Sequence, residues 1–199
     1  MPLEGKALGY RYDQASWVIR NTDIRLEAGE IIGLVGRSGC GKSTLGKLLA
    51  GHLRPREGTI TCDGKQLTAG ERNPVQLVLQ HPEQAVNPRW KLQRTLAEAG
   101  GLDAGLLAEL AVEADWLTRY PGELSGGELQ RICVARALSS GTRYLIADEM
   151  TTMLDAITQA QIWQAVVRWA ERQRAGVMVI SHERILVDRL CSRVIEWHT

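Results

Sequence analysis

The sequence lacks any apolar run of membrane-spanning length. Stretches such as Ile31–Val35 and Val177–Ile180 suit buried strands and fall far short of the ~20 residues that cross a bilayer. If this chain serves a membrane, another chain supplies the channel. The opening MPLEGKALGY has neither a basic nor an apolar leader region, so no secretory signal is visible. Charge of one sign is not in excess either. The 24 basic and 23 acidic side chains leave a formal net charge of +1, which gives no general electrostatic reason to bind nucleic acid or an acidic membrane. Cysteine is sparse: Cys40, Cys62, Cys133 and Cys191 lie far apart with no CxxC pair or Cys/His cluster. A disulfide framework and a thiolate metal site both lack support, and isolated thiols suit a reducing compartment. Internal repeats, low-complexity tracts and Pro/Ser-rich linkers are also missing.

What remains is an ordinary globular composition, 44% hydrophobic and 24% charged over 199 residues, enough for one large domain or a core with a small appendage. Short apolar runs alternate with longer amphipathic segments, the pattern of an α/β fold. Strands are expected near Ala7–Tyr12, Val18–Leu26, Ile31–Val35, Thr59–Cys62, Val75–Leu79, Tyr144–Ala147, Val177–Ile180 and Arg193–Trp197. Asp63-Gly64 signals a tight hairpin turn, so the early strands should form an antiparallel layer beside a mainly parallel sheet. Helices are expected at Lys42–Leu49, Ala104–Thr118, Gly126–Leu138, Ile157–Arg172 and Glu183–Leu190. Leu102–Tyr120 keeps helical periodicity without strands and reads as a small helical insertion.

The first motif with chemistry is Gly36-Arg37-Ser38-Gly39-Cys40-Gly41-Lys42-Ser43-Thr44, which fits GxxxxGK[ST] between an apolar strand and a helix. Glycines let the backbone wrap an anion and aim N–H groups inward, and the helix N-terminus favours phosphate. Lys42 is placed to reach β- and γ-phosphates and Ser43 to ligate Mg²⁺. Cys40 within this loop is a small filler, or a thiol activated by its helix-terminal setting. The motif implies nucleotide binding without fixing the type of NTPase.

Leu124-Ser125-Gly126-Gly127-Glu128-Leu129-Gln130-Arg131 narrows that choice. Ser125 with Glu128 is a helix capping box, and LSGGELQR also resembles the signature of the ATP-binding-cassette (ABC) ATPases. The remaining pieces follow in order. Tyr144–Glu149 is an apolar strand ending in Asp148, the position that holds Mg²⁺ in P-loop enzymes, and Glu149. The resemblance implies that Glu149 is the general base for the attacking water. It also implies that Gln80 senses Mg²⁺ and γ-phosphate, that Asp155 is the D-loop aspartate and that His182 is the switch histidine. Tyr12 becomes the candidate for stacking on adenine, with Tyr10 and Trp17 close by.

From Tyr12 to His182, the resemblance implies one ABC ATPase domain over residues 1–199. A P-loop NTPase core (1–86 and 124–199) would carry an N-terminal antiparallel β layer, with a helical subdomain at 87–123. It further implies ATP hydrolysis with Mg²⁺ at the cytoplasmic face of the cell membrane. The expected partners are transmembrane permease subunits and a second ABC ATPase subunit, identical or not, paired head to tail. Ser125, Gly126 and Gly127 would then meet the partner's γ-phosphate.

Gln76–Pro82 with Asn87-Pro88-Arg89, and Leu154-Asp155-Ala156 with Gln159–Ile162, are similar to the peptide/nickel-uptake group. Uptake of peptides, nickel or a metal chelate is therefore favoured. Met150, where the family usually has Pro, and Thr152-Met153, where it has small residues, leave open two unequal ATP sites. The chain stops soon after Trp197, so no C-terminal regulatory domain is expected. Trp90 either docks a membrane partner with Arg89 or packs inward. The rival functions are a soluble, non-transport ABC ATPase and a non-catalytic nucleotide switch. Against the first stand the missing second cassette and coiled-coil insertion; against the second stand Lys42, Asp148, Glu149 and His182.

Overall fold

The computed structural model describes residues 1–13, 16–67, 73–101 and 103–197. The chain begins with β1 (Leu3–Tyr10), β2 (Ile19–Leu26) and β3 (Ile31–Val35), followed by α1 (Lys42–Leu49). Next come β4 (Glu57–Cys62), β5 (Lys65–Gln66) and β6 (Val75–Val78), then α2 (Leu92–Ala97) and α3 (Ala104–Glu109). Last are α4 (Gly126–Ala137), β7 (Tyr144–Asp148), α5 (Ala156–Gln173), β8 (Gly176–Ile180), α6 (Arg184–Leu190) and β9 (Arg193–Glu196).

The strands divide as expected between two sheets. β2-β1-β4-β5 is antiparallel, and β6-β7-β8-β3-β9 is parallel throughout. A parallel sheet covered on both faces needs apolar residues at consecutive positions, and every residue of β7 and β8 is buried. The two faces still alternate. Tyr144 and Ile146 belong to the apolar cluster with α1 and the antiparallel sheet, while Leu145 and Ala147 belong to the one with α4 and α5.

Between β6 and β7 the backbone is helical, as the insertion was expected to be, but it is broken differently. The single helix anticipated over 104–118 is instead α3 and a 3-10 turn at Ala114–Thr118, and Leu102, where the insertion was expected to begin, lies outside the described residues. The break is a helix stop without glycine. Ala111 takes a left-handed φ of 49°, Val112 N–H returns to Leu107 O and Ala111 N–H to Ala108 O, the paired bonds of a Schellman end. The Leu110 carbonyl is taken by Arg131 at 2.7 Å. Helix α2 was not foreseen, because six residues are too few to display a 3.6-residue period. Its Leu92 and Leu96 are buried in the same apolar cluster as α4.

Candidate functional site

In a parallel sheet all strands end on the same side, and ligands collect outside those ends. Four of the expected segments lie there: residues 36–44 after β3, Gln80 after β6, Asp148 and Glu149 at the end of β7, and His182 after β8.

The loop from Gly36 to Thr44 is shaped by what its carbonyls and N–H groups do. Lys42 is buried and donates from Nζ to Gly36 O and Arg37 O, both at 2.8 Å. Arg37, Ser38 and Gly39 are exposed. Gly41 begins α1 at φ 95° with no side-chain cap, and a Cβ there would lie 3.0 Å from Val18 O. The first-turn N–H groups of α1 are thus left without a cap, as an anion site requires. Cys40 is half-buried with Sγ 3.9 Å from Lys42 Nζ.

Ser43 Oγ donates to Asp148 Oδ1 at 3.1 Å, which brings together two of the expected metal ligands. Burial pushes the Asp148 carboxyl above its usual range, an effect opposed by Ser43 and by the Lys47 and Lys42 ammonium groups. Glu149 follows at a left-handed φ of 49°, and its N–H bonds Ile180 O at 2.9 Å. That anchor turns its carboxylate toward the next strand end, where His182 Nδ1 lies 3.4 Å from Glu149 Oε1. Tyr12 is 45% exposed, stands edge-on to Tyr10 and shares a hydrogen bond with Thr44 Oγ1 at 3.2 Å. Tyr10 is buried and Trp17 carries the Arg11 guanidinium, so Tyr12 is the one of the three aromatics that meets α1 with an exposed ring.

The signature segment opens α4. Ser125 and Gly126 are exposed. Ser125 Oγ accepts from Glu128 N–H at 3.3 Å, and Glu128 accepts from Ser125 N–H at 2.6 Å. The capping box read from the sequence is therefore formed. Gly127 faces the D-loop: a Cβ there would meet Leu154 Cδ2 at 3.5 Å. Asp155 caps α5, accepting from Ile157 and Thr158 N–H at 3.0 Å each, and these N–H groups, Thr158 first, hold its carboxyl below the usual range.

Three features were missed. Arg131 is buried and ties α4 to α5 through Gln161 Oε1 at 2.7 Å and Thr158 Oγ1 at 3.4 Å, besides Leu110 O. Gln130, Cys133 and Arg136, spaced by three along α4, donate to the carbonyls of Leu79, Pro82 and Ala85, also spaced by three. This ladder fixes the Gln80 loop to the helix that begins at Ser125. Its sequence signal was a hydrogen-bonding group at every third position along one line of the helix. The third is Trp197, beside the phosphate loop. Trp90 is half-buried, outside the apolar clusters, with the Arg94 guanidinium 3.9 Å from its ring centroid. No helix among the described residues is long and apolar enough to cross a membrane.

Comparison with known proteins agrees with this fold. The family described as ABC transporter matches residues 19–152. A nickel import ATP-binding protein, NikE, of Pseudomonas putida is 36% identical over 91% of this chain and 73% of its own length. The solved structure of an ATP-binding subunit of an ABC transporter superposes with a TM-score of 0.87 at 25% identity, covering 100% of this chain and 86% of that one. A dimeric ATP-binding cassette in a post-hydrolysis state with ADP and Pi shares the fold at a TM-score of 0.82 and 22% identity, over 98% and 94% of the two chains. With family motifs, fold and relatives in agreement, the chain belongs to the ABC transporter family, as an ATP-binding subunit that hydrolyses ATP.

Proposed function

We propose that this subunit drives uptake of nickel or a nickel chelate, working as one half of a head-to-tail pair beneath a membrane permease. The carrying observation for the chemistry is the convergence of Lys42, Ser43, Asp148, Glu149 and His182 at adjacent strand ends. For the solute, it is the similarity to nickel import ATP-binding proteins over most of the chain.

In this reading Gly36–Thr44 wraps the phosphates of ATP, with the adenine on Tyr12. Lys42 leaves the carbonyls of Gly36 and Arg37 to meet the β- and γ-phosphates, a charge-assisted contact stronger than the two it gives up. Glu149 accepts a hydrogen bond from the attacking water, and His182, adjacent to that carboxylate, links it to the γ-phosphate. Asp148 and Ser43 fit a Mg²⁺ site, because a buried carboxylate beside a hydroxyl is stabilised by a cation. Mg²⁺ bound there would neutralise charge on the β- and γ-phosphates, with Gln80 completing its shell. The partner's γ-phosphate meets Ser125, Gly126 and Gly127, next to the D-loop at Asp155.

The division into a core and a helical subdomain at 87–123 is supported by the placement of α2, α3 and two 3-10 turns in that stretch and of every described strand outside it. We assign permease docking to the surface around Trp90, at the cytoplasmic face of the membrane. Trp90→Ala should leave folding and ATP binding intact while impairing assembly with the membrane subunits, since Trp90 lies outside the apolar clusters and its ring contact inside the subunit is the cation–π pair with Arg94, worth about 0.5–1 kcal/mol. A melting loss of several kcal/mol in the isolated chain would move Trp90 into the core and end its docking role. Deletion of the gene tests the solute: accumulation of radioactive nickel should fall while dipeptide uptake holds. Loss of dipeptide uptake alone would assign the subunit to peptides.

A further inference from the structure

Phosphate binding by a loop requires that its N–H groups face the anion and that its carbonyls go elsewhere, since a carbonyl aimed inward would repel phosphate. Lys42 takes the carbonyls of Gly36 and Arg37 in this structure. The Cys40 carbonyl is taken by another part of the chain: Trp197 Nε1–H donates to it at 2.7 Å. Trp197 lies just past β9, 157 positions from Cys40, and is 7% exposed. Its backbone also grips the start of the loop. Trp197 N–H donates to Val35 O at 2.6 Å, extending the β3–β9 ladder by one bond, and Trp197 O lies 2.5 Å from where a Cβ on residue 36 would stand. Gly36 is thus required by Trp197 as much as by the anion.

We infer that Trp197 is a positioning residue for the phosphate loop, splinting it at both ends so that the N–H of Gly41 faces the nucleotide. The reason is peptide geometry. In a trans peptide C=O and N–H point in opposite directions, so holding the Cys40 carbonyl on the indole fixes the Gly41 N–H on the other side. Gly41, at φ 95°, lacks the Cβ that would otherwise restrict this peptide plane to one orientation. The bicyclic ring supplies a rigid donor from a buried wall, which a flexible side chain at that position would not. Trp197 acts through Cys40 and Gly41.

The inference rests on the loop's role in ATP binding, and the two are tested apart. In one variant Trp197 is replaced by 3-benzothienylalanine, which keeps the bicyclic shape and removes the N–H donor; the other is Trp197→Phe. Loss of one neutral hydrogen bond of ordinary strength should weaken ATP binding roughly three- to tenfold. It should raise KM for ATP in the assembled transporter with kcat nearly kept, because the Glu149 and His182 chemistry is untouched. The melting temperature of the benzothienyl variant should stay near that of the parent. Trp169→Phe, which trims a buried indole in the other apolar cluster, controls for general loosening of the core. Lys42→Ala reports on the loop itself. If Lys42→Ala loses ATP while the benzothienyl variant binds it as the parent does, the splint is wrong and the loop reading stands. If Trp169→Phe weakens ATP binding as much as Trp197→Phe, the effect is general destabilisation and the inference is again overturned. If Lys42→Ala keeps full affinity, the loop reading itself fails.

Discussion

Helix α1 starts at Gly41, in the left-handed region and without a side-chain cap, among residues that are mostly buried. Helix α4 starts at Ser125, exposed and closed by a reciprocal box with Glu128. Both termini carry the positive end of a helix dipole, yet only α1 leaves its first N–H groups uncapped. An uncapped end leaves N–H groups for water or a ligand to complete, and under the proposed function an anion from outside the chain takes that place at α1. The α4 terminus is closed within its own subunit. Under the proposed function, the contrast separates a site that binds ATP in the monomer from one that meets ATP only when two subunits close.

The largest expected effect falls on the chemistry at the α1 end. Glu149→Gln keeps the shape and the N–H anchor to Ile180 O but removes the proposed base. Turnover in the assembled transporter should drop by at least about 10²-fold with ATP binding retained. Near-normal hydrolysis would remove Glu149 from the role of base.

A second pair of substitutions sets the two termini against each other in one assay. Lys42→Ala removes a charged donor to phosphate and should weaken ATP binding by the isolated subunit about 10–100-fold, the equivalent of a charged hydrogen bond of roughly 1.5–3 kcal/mol. Ser125→Arg, at an exposed site, should leave that affinity unchanged while abolishing ATP-driven pairing and hydrolysis. Equal losses of monomer affinity in both variants would collapse the contrast and mean that the signature loop works within its own subunit.

How far the sequence alone reaches follows the same division. The bounds of β3 and α1 were legible to the residue, because the apolar run Ile31–Val35 and the glycine-rich loop punctuate them locally. The capping box was legible for the same reason, since Ser125 and Glu128 are three residues apart. The stop of α3 at Glu109 was not, because the group taking the Leu110 carbonyl is Arg131, 21 residues later. Nor was the contact of Trp197 with Cys40, which depends on β9 pairing beside β3. Local chemistry writes itself into spacing; a carbonyl satisfied across the sheet leaves no pattern. The pairing of Glu149 with His182 lies between. Both residues were identified from motifs, while their 3.4 Å approach needed the β7–β8 register.

The smallest expected effect concerns the α4 box by itself, and it tests whether that terminus is self-sufficient. Ser125→Ala removes the hydroxyl that accepts from Glu128 N–H. Loss of such a cap typically costs about 1 kcal/mol, a fall of roughly 2–4 °C in the melting temperature of a chain this size. Glu128→Gln should cost less, since an amide oxygen still accepts from Ser125 N–H. Its penalty should also depend on pH. The Ser125 backbone N–H, followed by its hydroxyl, holds the Glu128 carboxyl below its usual range. A lowered carboxyl contributes stability that is fully present above its unfolded pKa of about 4.3 and lost as pH falls through the folded value. The melting difference between Glu128→Gln and the parent should therefore be open near neutrality and close in acid, while the Ser125→Ala deficit persists in part, because a protonated Glu128 leaves the hydroxyl cap in place. If neither variant melts below the parent at neutral pH, the N–H groups of α4 are held by something other than this box, and the terminus is no more self-sufficient than that of α1.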